Sequence, residues 1–138
     1  MYAGYMGSTS NALKLKNKLT ALVVDDAELV RRIHIQLLTN LGVDAWNVEN
    51  GKKAVDLCHS GEVFDLILMD MEMPIMDGPE ATRLLREMGV TSVIVGVSAS
   101  SMEWNKQFFM DAGLNHYEEK PLSADKLVPI LREIDINY

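Results

Sequence analysis

The chain has 138 residues, of which 48% are hydrophobic and 24% charged, and its formal net charge is −7 at pH 7. These values are typical of one globular domain and exclude a disordered or fibrous chain. The acidic charge argues against DNA binding, and no apolar run reaches the roughly 18 residues of a membrane span. The single cysteine, Cys58, offers no internal disulfide. We therefore expect a monomeric protein of the cytoplasm, with the nucleus as a second candidate compartment.

The first residues differ in composition from the rest of the chain. Residues 1–18 contain three lysines and no acidic residue, together with several glycine, serine and tyrosine residues. This composition is typical of a flexible terminal segment. The predicted organisation is therefore a flexible tail over residues 1–18, followed by one domain over residues 19–138.

Within this domain, short apolar runs alternate with segments of helical spacing. The apolar runs predict five β-strands, over residues 19–26, 43–48, 64–70, 92–97 and 115–120. A helix is predicted after each strand. The signals are apolar spacing over residues 30–41 before Gly42, weak helical spacing over residues 51–59, Pro79 at a first helical position, Trp104, Phe108 and Ala112 on one face, and Ser123 as an N-cap.

This alternation predicts the α/β class, with a doubly wound, five-stranded parallel sheet covered by helices on both faces. In such sheets the functional crevice lies at the carboxyl ends of the strands. Two helical positions carry expectations of their own. His34 is expected on the solvated side of the first helix, and Pro129 should kink the last helix because it lacks an N–H donor.

Polar side chains follow four of the five predicted strands. Asp25 and Asp26 end the first run, Asp70 ends the third, Ser98 follows the fourth and Lys120 follows the fifth. Three carboxylates at one edge would repel by about 1–4 kcal/mol per pair, depending on the effective dielectric. A hard divalent cation such as Mg²⁺ would compensate this charge. Metal, ammonium and hydroxyl are also the groups that stabilise phosphoryl oxygens during transfer.

At these positions the sequence resembles the receiver domains of response regulators in two-component phosphorelays. The matching segments are VVDD at 23–26, LILMDMEMPIMDG at 66–78, VSAS at 97–100 and EKPL at 119–122. They occur in the family's order, and the resemblance covers about residues 19–136. Because no effector domain accompanies them, the chain is most similar to stand-alone plant regulators of type C.

The resemblance implies the (βα)5 receiver fold, with the flavodoxin-like strand order 2-1-3-4-5. It implies that Asp70 accepts a phosphoryl group from a phosphohistidine on a phosphotransfer protein or a histidine kinase. It further implies a cofactor, Mg²⁺ or Mn²⁺, with three kinds of ligand. They are the carboxylates of Asp26 and Asp70, the backbone carbonyl of Glu72, and Asp25 through a water molecule.

For the remaining site residues, the resemblance implies contacts with phosphoryl oxygens and a conformational switch. Ser98 and Lys120 would contact the phosphoryl group, and Ser98 would act in the switch together with Tyr117. The peptide bond before Pro121 is expected to be cis. The chain would then be a phosphorylated switch or a phosphate sink, in cytokinin signalling. It would catalyse only its own phosphorylation and dephosphorylation, and it would not be an enzyme with a separate substrate.

Simpler interpretations remain open for single residues, and two other functions compete. Ser98 could merely cap a helix, and Tyr117 could be a core aromatic with a hydrated hydroxyl. A phosphatase of the haloacid-dehalogenase type would also use an aspartate nucleophile, but it carries Asp-x-Asp after its first strand. A flavodoxin-like cofactor protein would need a phosphate-binding loop where this chain has Asp25 and Asp26.

Overall fold

The structure, a computed structural model, describes residues 13–138 as alternating strands and helices. The strands are β1 (Thr20–Val24), β2 (Asp44–Val48), β3 (Leu66–Asp70), β4 (Val93–Ser98) and β5 (His116–Glu119). The helices are α1 (Glu28–Asn40), α2 (Gly51–His59), α3 (Gly78–Glu87), α4 (Glu103–Asp111) and α5 (Ala124–Ile136). All strand pairs are parallel, in the order β2-β1-β3-β4-β5. The predicted fold class and strand order are therefore confirmed.

The two faces of the sheet carry separate hydrophobic cores. In β1, Ala21 and Val23 point to the core under α1 and α5, whereas Leu22 and Val24 point to the core under α2, α3 and α4. The alternation follows from the two-residue period of a strand. Because both faces are covered, the central strands are continuous apolar runs, and polar residues are displaced to the strand ends.

Local sequence signals begin and end several helices, and the predicted end of α1 at Gly42 is among them. The side chain of Asn50 caps α2 by accepting from the Lys53 amide, and Asp77 caps α3 by accepting from the Glu80 amide. Gly42 follows α1 with a φ of +89°, in the left-handed region that glycine adopts readily. Pro129 lies inside α5, and the helix continues past it to Ile136.

Trp104 and Phe108 share one face of α4 as predicted, but that face is exposed, and the expectation for His34 is wrong. Trp104 and Phe108 of α4 are exposed and stacked on each other, whereas the neighbouring Phe109 is fully buried. Successive helical residues are about 100° apart, so Phe109 faces the core while Trp104 and Phe108 lie on the exposed side. His34 was expected in solvent, but it is only 4% exposed between α1 and the sheet.

The packed domain starts earlier than the predicted boundary at residue 19. Leu13 and Leu15 pack against the α1–α5 core. Asp135 in α5 accepts hydrogen bonds from the amides of Lys16 and Asn17, at 2.8 and 3.0 Å. The part of the predicted tail over residues 1–12 lies outside the described residues. Among the helices of residues 13–138, none combines the length and the apolar character needed to cross a membrane.

Candidate functional site

The carboxyl ends of the parallel strands converge on one cavity of about 210 Å³. Asp25 follows β1, Asp70 and Ser98 end β3 and β4, and Lys120 follows β5. Asp26 and Glu72 line the same cavity from the loops after β1 and β3. The structure therefore brings together every predicted site residue except Tyr117, which lies behind the β4–α4 loop.

The acidic part of the site consists of Asp25, Asp26 and Asp70. One carboxylate oxygen from each lies within 4.8 Å of the others. Asp25 and Asp70 are buried, whereas Asp26 is exposed at the mouth of the cavity. Oxygen donors at this spacing are the ligand type that Mg²⁺ prefers.

Lys120 provides the positive charge of the site. Its ammonium lies 2.9 Å from Oδ1 of Asp70 and 3.3 Å from Oδ2 of Asp25. Burial alone lowers the pKa of Lys120, but the hydrogen bond to Asp70 and the two nearby carboxylates outweigh it, so that the pKa is raised. Lys120 is therefore held in its charged form.

The pKa of the Asp70 carboxyl group is subject to opposing effects. Burial raises the pKa of its carboxyl group to about 6, against the lowering effect of the Lys120 hydrogen bond and with a further increase from Asp25 and Asp26. One lysine thus leaves the three acids with excess negative charge. A group that brings positive charge to Asp70 would favour its ionised, nucleophilic form.

The backbone around Asp70 is fixed by close packing of the loop that follows it. The amide of Gly78 donates to the carbonyl of Met71 at 2.8 Å, and the amide of Met71 donates to Val97 at 3.0 Å. A side chain at Gly78 would overlap the carbonyl oxygen of Asp70. Glycine at this position therefore allows α3 to begin directly against the strand end that carries Asp70.

Ser98 and Tyr117 are linked through the loop between β4 and α4. The Ser98 hydroxyl accepts a hydrogen bond from the Ser100 amide at 3.0 Å. The Tyr117 hydroxyl donates to the Ser100 carbonyl at 2.7 Å, and its ring packs edge-on against Phe109. Ser98 thus organises this loop while it lines the cavity. The peptide bond between Lys120 and Pro121 is cis.

Arg31 is a site neighbour that the sequence analysis did not identify. From α1, it donates to the backbone carbonyl of Asp25 at 2.8 Å and to the side chain of Asn47 at 2.9 Å. In the sequence, Arg31 is one of two adjacent arginines in the first predicted helix, and no pattern shows which of them reaches the site.

Comparison with known proteins agrees with this geometry. The sequence pattern of the response regulator receiver domain matches residues 21–132. The chain belongs to this family. It is 52% identical over 120 residues to "Two-component response regulator 24" of Arabidopsis thaliana, covering 87% of this chain and 86% of that protein. ARR22 of the same plant is 45% identical over 128 residues, covering 91% and 90%.

The fold of this receiver domain is also similar to solved structures. The receiver domain of the Francisella response regulator 1452 superposes with a TM-score of 0.79 at 25% identity, covering 87% of this chain and 98% of that one. The protein is thus a receiver domain of a two-component phosphorelay, and the expected similarity to plant regulators of type C is confirmed.

Proposed function

We propose that this receiver accepts a phosphoryl group on Asp70 from a phosphohistidine of a phosphotransfer protein or a histidine kinase. The observation that carries the proposal is the placement of Asp70 between the Lys120 ammonium, 2.9 Å away, and two further carboxylates. The lysine supplies positive charge on one side, and the acids supply oxygen ligands for a cation on the other. Phosphoryl transfer is accelerated by metal ions and cationic side chains that stabilise the negative charge on the oxygens of the transferred group.

The residues present fit Mg²⁺ or Mn²⁺. Asp26 and Asp70 would be direct ligands together with the backbone carbonyl of Glu72. Both carboxylate oxygens of Asp25 already accept a hydrogen bond, Oδ1 from the Ala27 amide at 2.9 Å and Oδ2 from Lys120. Asp25 is therefore better suited to act through a water molecule. When bound, the ion neutralises the acidic charge and polarises the phosphoryl oxygens.

In the proposed step, a carboxylate oxygen of Asp70 attacks the phosphorus atom, and an O–P bond forms. The P–N bond to the donor histidine breaks, and the histidine nitrogen keeps the electron pair. The Lys120 ammonium then exchanges part of its contact with Asp70 for a phosphoryl oxygen. Ser98 can donate its hydroxyl hydrogen to a second phosphoryl oxygen, since its oxygen accepts only the Ser100 amide among its described contacts.

The output follows from the loop that Ser98 shares with Tyr117. If phosphorylation draws Ser98 towards Asp70, the Ser100 backbone moves with it and the hydrogen bond from Tyr117 is altered. Tyr117 then changes position at the surface of α4. We propose such a switch, or a phosphate sink, rather than an enzyme that turns over a separate substrate. The similarity to Arabidopsis regulators supports a role in cytokinin signalling.

Radiolabel transfer from a phosphorylated histidine donor tests the proposal. We expect a base-labile label on the wild-type protein, since acyl phosphates hydrolyse readily in alkali. Asp70→Asn should abolish the label, and a metal chelator should stop the transfer. Asp56→Asn, on the exposed face of α2, is the matched control and should label normally. A label that survives in Asp70→Asn, or one that resists alkali, would contradict the proposal.

The conformational part of the proposal has its own measurement. Amide resonances around Tyr117 and Ser100 should differ between the free and the phosphorylated protein. Tyr117→Phe removes the hydroxyl that donates to Ser100 and should reduce these differences while Asp70 is still labelled. Unchanged resonances near Tyr117 on phosphorylation would remove it from the switch.

A further inference from the structure

Arg31 forms a bridge beside the acidic site. Its Nη1 donates to the backbone carbonyl of Asp25 at 2.8 Å, and its Nε donates to the side-chain oxygen of Asn47 in β2 at 2.9 Å. The guanidinium is half-buried between α1 and the end of the sheet. It therefore ties three elements together at the point where β1 turns into α1.

The carbonyl that Arg31 holds belongs to the peptide bond between Asp25 and Asp26. A peptide unit is planar, so fixing its carbonyl also fixes the direction in which the Cα atom of Asp26 leaves it. Hydrogen bonds from a charged donor are stronger than neutral ones, and the fixed geometry of the guanidinium adds directional specificity. Arg31 thus acts on the orientation of both acids through one backbone group.

Asp26 depends on this backbone more than its neighbour does. The carboxylate of Asp25 is itself fixed by the Ala27 amide and by Lys120. The Asp26 carboxylate is exposed, and among residues 13–138 no hydrogen bond or ion pair to it is formed. Its position in the cavity is therefore set by its backbone alone.

We infer that Arg31 is a positioning residue for Asp26, which it orients as a metal ligand through the Asp25–Asp26 peptide unit. The inference rests on the proposed function, in which Asp26 binds the divalent cation directly. Arg31 itself contacts neither the cation nor the phosphoryl group. Its contribution is to hold the turn after β1 in the geometry that a bound ion needs, before the ion arrives.

The neighbouring Arg32 is a matched control within the same helix. It carries the same charge, but its side chain is exposed and reaches Glu28 at 3.7 Å instead of the site. Replacing either arginine removes one positive charge from α1. Only the replacement of Arg31 removes the contact with the Asp25 carbonyl, so a difference between the two variants reports that contact.

The first measurement is Mn²⁺ binding to the unphosphorylated full chain, by calorimetry. Loss of a group that orients a metal ligand typically weakens metal affinity by roughly 10–100-fold, and we expect about tenfold for Arg31→Ala. Arg32→Ala should retain the wild-type affinity. Arg31→Lys should fall between them, because an ammonium can reach the carbonyl but cannot bridge to Asn47. Asn47→Ala, which releases the other end of the bridge, should weaken binding more mildly.

The second measurement separates positioning from general destabilisation. With acetyl phosphate as the phosphodonor, Arg31→Ala should need more Mg²⁺ for half-maximal labelling, and saturating Mg²⁺ should restore the wild-type rate. A merely structural role would lower the free energy of unfolding without moving the Mg²⁺ dependence of the folded protein. A wild-type Mn²⁺ affinity in folded Arg31→Ala, checked by urea unfolding, would overturn the inference.

If Arg31→Ala does not fold, Arg31→Lys and Asn47→Ala decide the question. Wild-type Mn²⁺ affinity in both would overturn the inference, and weakened affinity in both would support it. Failure of the proposed function is distinguishable from these outcomes, because it would show as the absence of a base-labile label on Asp70 in the wild-type protein.

Discussion

The ammonium of Lys120 lies 2.9 Å from Oδ1 of Asp70, although Asp70 ends β3, Lys120 follows β5, and β4 lies between these strands. The contact therefore spans the carboxyl edge of the sheet and depends on the order of the strands. It places a positive charge beside the residue that we propose as the phosphoryl acceptor. In the absence of a phosphoryl group, Lys120 forms an ion pair with the buried carboxylate of Asp70. In the proposed phosphorylated form, it would pair instead with a phosphoryl oxygen, which carries more negative charge.

Lys120→Ala should slow the labelling of Asp70 more than Ser98→Ala does. Removing one donor to developing negative charge costs on the order of 100-fold in rate, which we expect for Lys120→Ala. A neutral hydroxyl forms a hydrogen bond of roughly half the strength, so Ser98→Ala should cost about tenfold. Initial rates with acetyl phosphate at saturating Mg²⁺ measure both. Lys106→Ala, on the exposed side of α4, is the control and should label at the wild-type rate. A larger loss of rate in Ser98→Ala than in Lys120→Ala would reverse the proposed roles of the two residues.

Asp26→Ala should weaken Mg²⁺ binding more than any other substitution that leaves Asp70 in place, because it removes a direct ligand. Loss of a single carboxylate should lower the affinity by about tenfold or more. Calorimetry on the unphosphorylated protein measures it. Glu28→Ala removes an exposed acid from the first turn of α1 and should leave the affinity unchanged. Equal affinities of Asp26→Ala and the wild type would contradict the ligand assignment.

Because His34 is buried, we expect the stability of the fold to depend on pH. Burial lowers the pKa of its imidazole, opposed by Asp25 and assisted by Lys120. The unfolded chain therefore binds a proton at His34 more readily than the folded one. This favours the folded state above the ordinary histidine pKa, and the advantage is lost as the pH falls below about 6.5, by up to about 1.4 kcal/mol per pH unit.

The comparison variant for this effect is His34→Gln, which cannot take up the proton. Its free energy of unfolding in urea should fall less steeply than that of the wild type between pH 7 and pH 5. His59→Gln, at the exposed end of α2, should follow the wild-type slope. If the free energy of unfolding fell equally steeply with pH in His34→Gln and in the wild type, burial would not lower the pKa of the His34 imidazole.

We expect Arg86, which lies outside the candidate site, to stabilise the fold. Its guanidinium donates to the carbonyls of Gly113, Val90 and Ser92 and to the side chain of Asn115, at 2.8–3.0 Å. Arg86→Ala would remove the guanidinium from the three carbonyls, whereas Asn115 Oδ1 would keep its hydrogen bond from the Ile94 amide. The loss should lower the free energy of unfolding by about 2–4 kcal/mol. Urea unfolding measures it. Arg83→Ala, exposed on the same helix, should be close to neutral, and a neutral Arg86→Ala would show that water replaces the guanidinium.

The sequence allowed the strands, their parallel arrangement and the residues at their ends to be predicted, because these follow from local apolar runs and from the geometry of parallel sheets. The sequence did not show that Phe109 is the buried aromatic residue of α4, since Trp104, Phe108 and Phe109 are all large and apolar and only packing distinguishes them. Burial of His34, and the contacts of Arg31 and Arg86, could not be predicted. Each depends on backbone carbonyls and helices that are distant in sequence.

From the position of Glu72 beside the cavity, we expect its side chain to affect the lifetime of the phosphorylated form. It lies two residues after Asp70, lines the cavity and is exposed. Its carboxylate would stand beside the path of the water molecule that hydrolyses the acyl phosphate. It could orient this water, or its negative charge could repel the attack. We expect repulsion to dominate, so that Glu72→Ala shortens the lifetime several-fold, about 1 kcal/mol in the barrier.

Decay of the label after removal of the donor measures this lifetime, and two variants separate the causes. Glu72→Gln keeps the shape of the side chain without its charge, so it should match Glu72→Ala if repulsion is the reason. Glu62→Ala, an exposed acid before β3, should decay like the wild type. Mg²⁺ affinity should change little in Glu72→Ala, because any residue supplies the backbone carbonyl. A longer lifetime would mean that Glu72 orients the attacking water, and a large loss of Mg²⁺ binding would mean that its side chain, rather than its carbonyl, faces the ion.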